Sequence, residues 1–226
     1  MDIPVKTCLI SGMLKVVILV FFGLWFSGLL AEDKQTKRNA ALVNVEDHLP
    51  EVIVDLQYAK SDNIAKKQLY ASPVAFLHPD TISRLKPVVK MLRKQGFKLV
   101  ILDAYRPPDA HKKLFDSFPN QKFIADPKLG SRHSRGTSVD VTLADMEGTR
   151  LEMPSDFDEF TPRADNDFRD ATPTAFKHVK ALRVTMFKNG FSGVPDEWWH
   201  YDLRNWSEYP FIRTAPLNDS RDEYKK

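Results

Sequence analysis

Between residues 40 and 215 apolar and polar positions fall into short blocks whose period switches between two and about 3.6 residues, with no internal repeat and no low-complexity linker. Val52–Ala59 (VIVDLQYA) alternates and is β-branched, which predicts a strand. Ile82, Leu85, Val88, Val89 and Leu92 share one helical face, with Asp80 or Thr81 as cap and Gly96 as stop. Pro87 inside that pattern predicts a kink or a later start. Lys98–Ala104 (KLVILDA) reads as a buried strand running into YRPP, and Pro108 opens a short helix to about Phe118. Thr137–Leu143 (TSVDVTL) is an alternating strand with Val139, Val141 and Leu143 on one face. Thr172 and Pro173 start a further helix, with Phe176, Val179, Leu182, Met186 and Phe187 inward and Gly190 as its stop. Glu197–Leu203 (EWWHYDL) reads as the last strand. Strands near hairpin-like turns, interleaved with helices, predict a single α+β domain with a central, mostly antiparallel sheet flanked by helices.

The start of the chain breaks this pattern. Val16–Ala31 (VVILVFFGLWFSGLLA) carries no charge, follows Lys15 and precedes EDKQTKR. A basic flank, a short apolar core and a terminal small residue are the marks of a secretory signal peptide, here residues 1–31, leaving 32–226 as the mature domain. Met13 as the start would make this leader more typical, whereas Leu29 departs from the small residue preferred two positions before Ala31. The run is shorter than the ~20 residues of a spanning helix, which favours cleavage over anchoring. Export, to a periplasm, is the expectation. Cys8, the only cysteine, lies in the leader, so the mature domain has neither cysteine catalysis nor cysteine metal ligands. A formal charge of +3 with both signs mixed and no basic stripe implies no nucleic-acid partner.

Alternation puts Ser138, Asp140 and Thr142 on the face opposite Val139, Val141 and Leu143. A mid-strand aspartate needs a cation, donors or a metal to be buried. His133, in the turn-rich SRHSRG where Gly136 lets the backbone reverse, can converge with it, and His200 of EWWH is the candidate third ligand. Two histidines and a carboxylate leave an open coordination position, as catalytic zinc sites require. Glu197, three residues before His200, can serve as general base only if the strand entry is bulged near Asp196–Trp198, because residues three apart on a regular strand face opposite sides. Arg106, at the end of LVILDAYR, is placed to stabilise an oxyanion, with a plain salt bridge to Asp103 or Asp109 as the alternative. His48, His78, His111 and His178 have no carboxylate at suggestive spacing and read as non-ligands.

SRHSRGTSVDVTL together with EWWHYDL resembles the D-alanyl-D-alanine dipeptidases of the VanX type, within the zinc peptidases that carry SxHxxGxAxD…ExWH. The likeness runs from VDLQYAKSDN through LDAYRP to HYDLRNWSEYP, with Ser138 where the pattern has alanine. It implies one zinc ion on His133, Asp140 and His200, Glu197 as base and Arg106 as transition-state stabiliser. It further implies that Tyr58, Tyr70, Ser131 and Asp158 line the dipeptide pocket, Asp158 meeting the free amine and Tyr70 and Ser131 seating the other end. Tyr70 lies a couple of residues nearer Asn63 than the family spacing. The leading expectation is hydrolysis of free D-Ala-D-Ala. A D,D- or L,D-carboxypeptidase trimming wall peptides uses the same metal set, and a zinc-bearing module without turnover is the non-enzymatic reading. The resemblance implies a cytoplasmic dipeptide pool for resistance-type enzymes, so an exported chain points instead to wall-peptide turnover or scavenging.

Overall fold

The computed structural model describes residues 38–214; the expected leader and Cys8 lie outside the described residues. The compact unit that begins at Ala41 holds every element below. Strands β1 (Val43–Asn44) and β3 (Phe76–Leu77) form a small antiparallel pair, with the four-residue helix α1 (Val45–His48) after β1. The central sheet has the order β2 (Ile53–Val54), β4 (Lys98–Asp103), β5 (Ser138–Ala144), β7 (Glu197–Leu203) and β6 (Phe191–Val194). Only β2–β4 is parallel, so the domain is α+β with a mostly antiparallel sheet. Among the described residues no helix is long and apolar enough to cross a membrane.

Helices α2 (Pro79–Arg93) and α4 (Pro173–Lys188) pack on each other and on the central strands. Leu85, Val88 and Leu92 of α2 and Val179, Leu182 and Met186 of α4 are fully buried with Leu99, Ile101, Val139, Val141 and Leu143 in one core. The apolar stripe of each helix and one parity of each strand therefore meet, which removes both from water. The other sheet face carries a small apolar cluster, Val100, Leu102 and Ala144. Helix α3 (Pro108–Ser117) leads into the loops that cover that second face.

Four local expectations change. The strand expected over Val52–Ala59 is confined to Ile53–Val54, and Gln57–Ala59 winds into a 3₁₀ turn that buries Tyr58. Helix α2 starts at Pro79 and is capped by His78, whose Nδ1 accepts from Asp80 N, so Asp80 and Thr81 are inside it. Pro87 neither ends nor delays α2: it is exposed, so the Ser83 carbonyl it leaves without a helical donor is on the solvent side. Phe176 is 42% exposed, whereas Phe187 is half-buried and packs against the core, because the face of α4 that meets the core is narrower than the apolar pattern.

Candidate metal centre and active-site cleft

The second sheet face owes its polar side chains to register. In the antiparallel β5–β7 pair, Asp140 lies opposite His200 and Ser138 opposite Asp202, so all four side chains share one face. A bulge in β4 adds a residue between Ile101 and Asp103, and Asp103 comes to lie opposite Asp140 rather than opposite core-facing Val139. His133 arrives from a 3₁₀ turn, Arg132–Arg135, just before β5. Ser131 Oγ opens this turn by accepting from His133 N, and Gly136 closes it at φ 69°. A side chain at Gly136 would also collide with Leu42 and the His78 backbone.

Among the described residues one group of His, Cys, Asp and Glu offers converging ligand atoms: His133, Asp140 and His200, all buried. His133 Nδ1 donates to the Ala104 carbonyl at 2.8 Å and His200 Nε2 to Asp202 Oδ1 at 2.9 Å. These bonds leave His133 Nε2 and His200 Nδ1 pointing at each other, 3.1 Å apart, with Asp140 Oδ1 at 3.4 and 3.0 Å from them. Three electron-rich atoms so close repel one another without a positive charge between them. Ligands about 2.0–2.1 Å from a tetrahedral zinc are about 3.3–3.4 Å apart, so the trio already has nearly the spacing of one face of such a site. The outer carboxylate and carbonyl partners are those that orient metal-ligating histidines. Without a metal, a proton serves: burial opposes it, but Asp202 and Asp140 hold the His200 pKa well above its usual value. Asp140 is held well below the usual carboxylate range, burial being overcome by His133 and His200.

The ligand trio lies in a cleft of about 310 Å³, whose lining includes Tyr58, Arg106, Ser131, Asp158 and Glu197. Glu197 reaches the same cleft as His200, its Oε2 3.9 Å from His200 Nδ1, although the two are three residues apart. The β6–β7 ladder explains this: Gly193 pairs with Tyr201 but Val194 with Glu197, so Trp198–His200 have no partners on β6 and the strand bends there. Burial pushes the Glu197 carboxyl up to about 7; His200 pulls it down and Asp140 pushes it up.

Arg106 forms the salt bridge to Asp103, one of its two sequence readings, and its side chain also lines the cleft. Its Nε and Nη2 donate to Asp103 Oδ2 at 2.9 and 2.6 Å, and Nη2 is 3.7 Å from Asp140 Oδ2. Tyr58 donates its hydroxyl to Asp158 Oδ2 at 3.0 Å, and the Arg106 guanidinium lies 4.9 Å from its ring centroid. Burial and then the Asp140 charge hold the Asp158 carboxyl well above the usual range. Tyr70 is placed differently from the sequence expectation. It is absent from the cleft wall and donates to Asp103 Oδ1 at 2.5 Å, behind Arg106, edge-on to Tyr58 at 5.9 Å.

Sequence reasoning passed over Asp202, which orients His200, bonds Ser138 Oγ at 2.5 Å and pairs with Arg132 at 2.7 Å. Its signal was present: two residues after His200 on a strand is the same face. It also set aside His111, which is 2% exposed and reaches the cleft lining from α3. Of the other histidines, His78 caps α2 and the His178 ring bonds the Glu152 carbonyl.

Two histidines, one carboxylate, a nearby half-buried glutamate and an arginine in a small cleft are the donor set and charged groups of a metal-dependent hydrolase. The pattern of the Peptidase_M15 family, described as D-ala-D-ala dipeptidase, matches residues 38–215. The D-alanyl-D-alanine dipeptidase of Escherichia coli (strain K12) is 36% identical over 171 residues, 76% of this chain and 89% of that protein. Those of Enterococcus faecalis (strain ATCC 700802 / V583) and Enterococcus faecium are each 27% identical, over 66% and 69% of this chain and 84% and 87% of theirs. The chain belongs to the Peptidase_M15 family.

Proposed function

We propose that the protein is a zinc-dependent D-alanyl-D-alanine dipeptidase, one zinc ion per chain being held by His133, Asp140 and His200. Asp158 carries this reading beyond the family. A carboxyl pushed up by burial, hydrogen-bonded to the neutral Tyr58 hydroxyl and lining the same cleft as the ligand trio is a receptor for a cation of substrate size. The free ammonium of a dipeptide supplies that cation and restores the ionised form. Zinc bound by the trio would polarise the scissile carbonyl and lower the pKa of a water to about 7.

Glu197 accepts a proton from the attacking water as the O–C bond forms, then delivers it to the amine nitrogen as the C–N bond breaks. Arg106 stabilises the negative charge that develops on the carbonyl oxygen, its fork aimed by Asp103 and, through Asp103, by Tyr70. Ser131, at the cleft wall, helps to seat the carboxylate end. The apolar run Val16–Ala31 supports export to the periplasm and a role in wall-peptide turnover. A reporter fused after residue 35 that stayed in the cytoplasm would remove that part.

The deciding experiment assays the purified protein, its metal content measured, on D-Ala-D-Ala, its N-acetyl derivative and a wall pentapeptide, with Glu197→Ala as control. Alanine release from the free dipeptide alone is the expected result. Equal turnover of the blocked peptides would keep the metal centre and make the protein a carboxypeptidase. Bound zinc with no turnover of any small D-peptide would leave a binding module.

A further inference from the structure

Four contacts outside the ligand trio converge on one loop, residues 118–125, which follows α3. At its base His111 Nε2 donates to the Ala125 carbonyl at 2.9 Å. In its middle Phe123 stacks on Phe160, ring centroids 4.3 Å apart and planes 14° apart, and Phe118 stacks on the same ring at 5.5 Å. Near its tip Lys122 Nζ pairs with Asp196 Oδ1 at 3.1 Å. The partners are two edges of the cleft. Phe160 N donates to the Asp158 carbonyl at 3.0 Å, and Asp196 directly precedes Glu197. Lys122, Phe123, Phe160 and Asp196 all line the cleft, and the side chains of Lys122 and Asp196 are 61% and 42% exposed, so their pair is at its solvent end.

We propose that this loop is the length filter of the site: Phe123 on Phe160 and Lys122 on Asp196 wall off the cleft beside Asp158, so a free dipeptide fits and a peptide extended at its amino end does not. The proposal rests on the dipeptidase reading above, with Asp158 as the amine receptor. Asp158 by itself favours an ammonium but puts no obstacle in the path of a longer chain; rejection requires a repulsive element, here the stacked rings. The two halves of the wall differ in strength. An exposed ion pair contributes at most about fivefold and weakens with salt. The half-buried aromatic stack contributes up to about tenfold.

The test uses the zinc-loaded full chain and compares kcat/KM for D-Ala-D-Ala with that for L-Lys-D-Ala-D-Ala. The wild type is expected to prefer the dipeptide strongly. Phe123→Ala should raise the tripeptide-to-dipeptide ratio about tenfold, and Lys122→Ala or added salt a few-fold. Lys122→Asp combined with Asp196→Lys restores the pair with its charges exchanged and should return the ratio towards that of the wild type. Ratios unmoved by Lys122→Ala, by salt and by Phe123→Ala would overturn the filter, and the exposed Lys122 variant and the salt series decide the matter should Phe123→Ala not fold. A wild type that cleaves the tripeptide as readily as the dipeptide removes the filter and leaves the dipeptidase reading in place. A wild type that cleaves no D,D-dipeptide removes both.

Discussion

Asp202 Oδ1 accepts from His200 Nε2 at 2.9 Å, and the two side chains share a sheet face because they are two residues apart on β7. Burial raises the Asp202 carboxyl, but His200, Ser138 and Arg132 together hold it well below the usual range, so it stays ionised and fixes the ring proton on Nε2. His200 Nδ1 is thereby left towards His133 Nε2 and Asp140 Oδ1, where a metal could be held. Asp202→Asn is expected to weaken zinc binding by about 10–100-fold, as loss of such outer partners does. Competition with a chromophoric chelator measures this, and unchanged affinity would show that Asp202 serves only the pairing with Arg132.

Metal uptake should release a proton. His200 is protonated in the metal-free site because Asp202 and Asp140 outweigh burial, and that proton occupies a ligand atom. Lowering the pH keeps it bound, so apparent zinc affinity falls, by about tenfold per pH unit while one proton is displaced. Calorimetric titration in two buffers of different ionisation enthalpy counts the protons. A pH-independent affinity would contradict the placement of His200 Nδ1 among the ligands.

Glu197→Gln should retain the metal and lower kcat by about 10²–10⁴, the span of general-base contributions. The ionised carboxylate is the active form, so the wild-type rate falls as pH drops through the Glu197 pKa. Burial puts that pKa at about 7 in the metal-free site. A bound cation favours the carboxylate, which places the acid limb below that value. The variant should lack the limb, and a limb that persists in Glu197→Gln belongs to another group.

The Arg106–Asp103–Tyr70 series separates contact from positioning. Arg106→Ala is expected to cost about 10²–10³ in kcat, as the loss of an oxyanion donor does. Tyr70→Phe removes one hydrogen bond to Asp103 and should lower kcat by less than about tenfold, in keeping with a net hydrogen-bond contribution near 1 kcal/mol. Its KM should stay near that of the wild type because Tyr70 does not line the cleft. A rise in KM with kcat unchanged would instead place Tyr70 against the substrate.

The sequence by itself determined strands β4, β5 and β7, helices α2, α3 and α4 and the polar face of β5, because these follow from periodicities of 2 and 3.6, and it marked Asp140 as a group needing a partner because of the cost of burying it alone. Tertiary structure decided what those periodicities leave open. The bulge that brings Asp103 opposite Asp140, and the bend that brings Glu197 to the side of His200, are breaks in pairing with neighbouring strands. Tyr70 moved from the cleft to the back of Arg106 because the 3₁₀ turn at Gln57–Ala59 replaces the expected strand and Tyr58 O accepts from Tyr70 N. The wall made by Lys122 and Phe123 joins segments 37 and 74 residues apart, at Phe160 and Asp196, and contacts of that range leave no periodic mark in the chain.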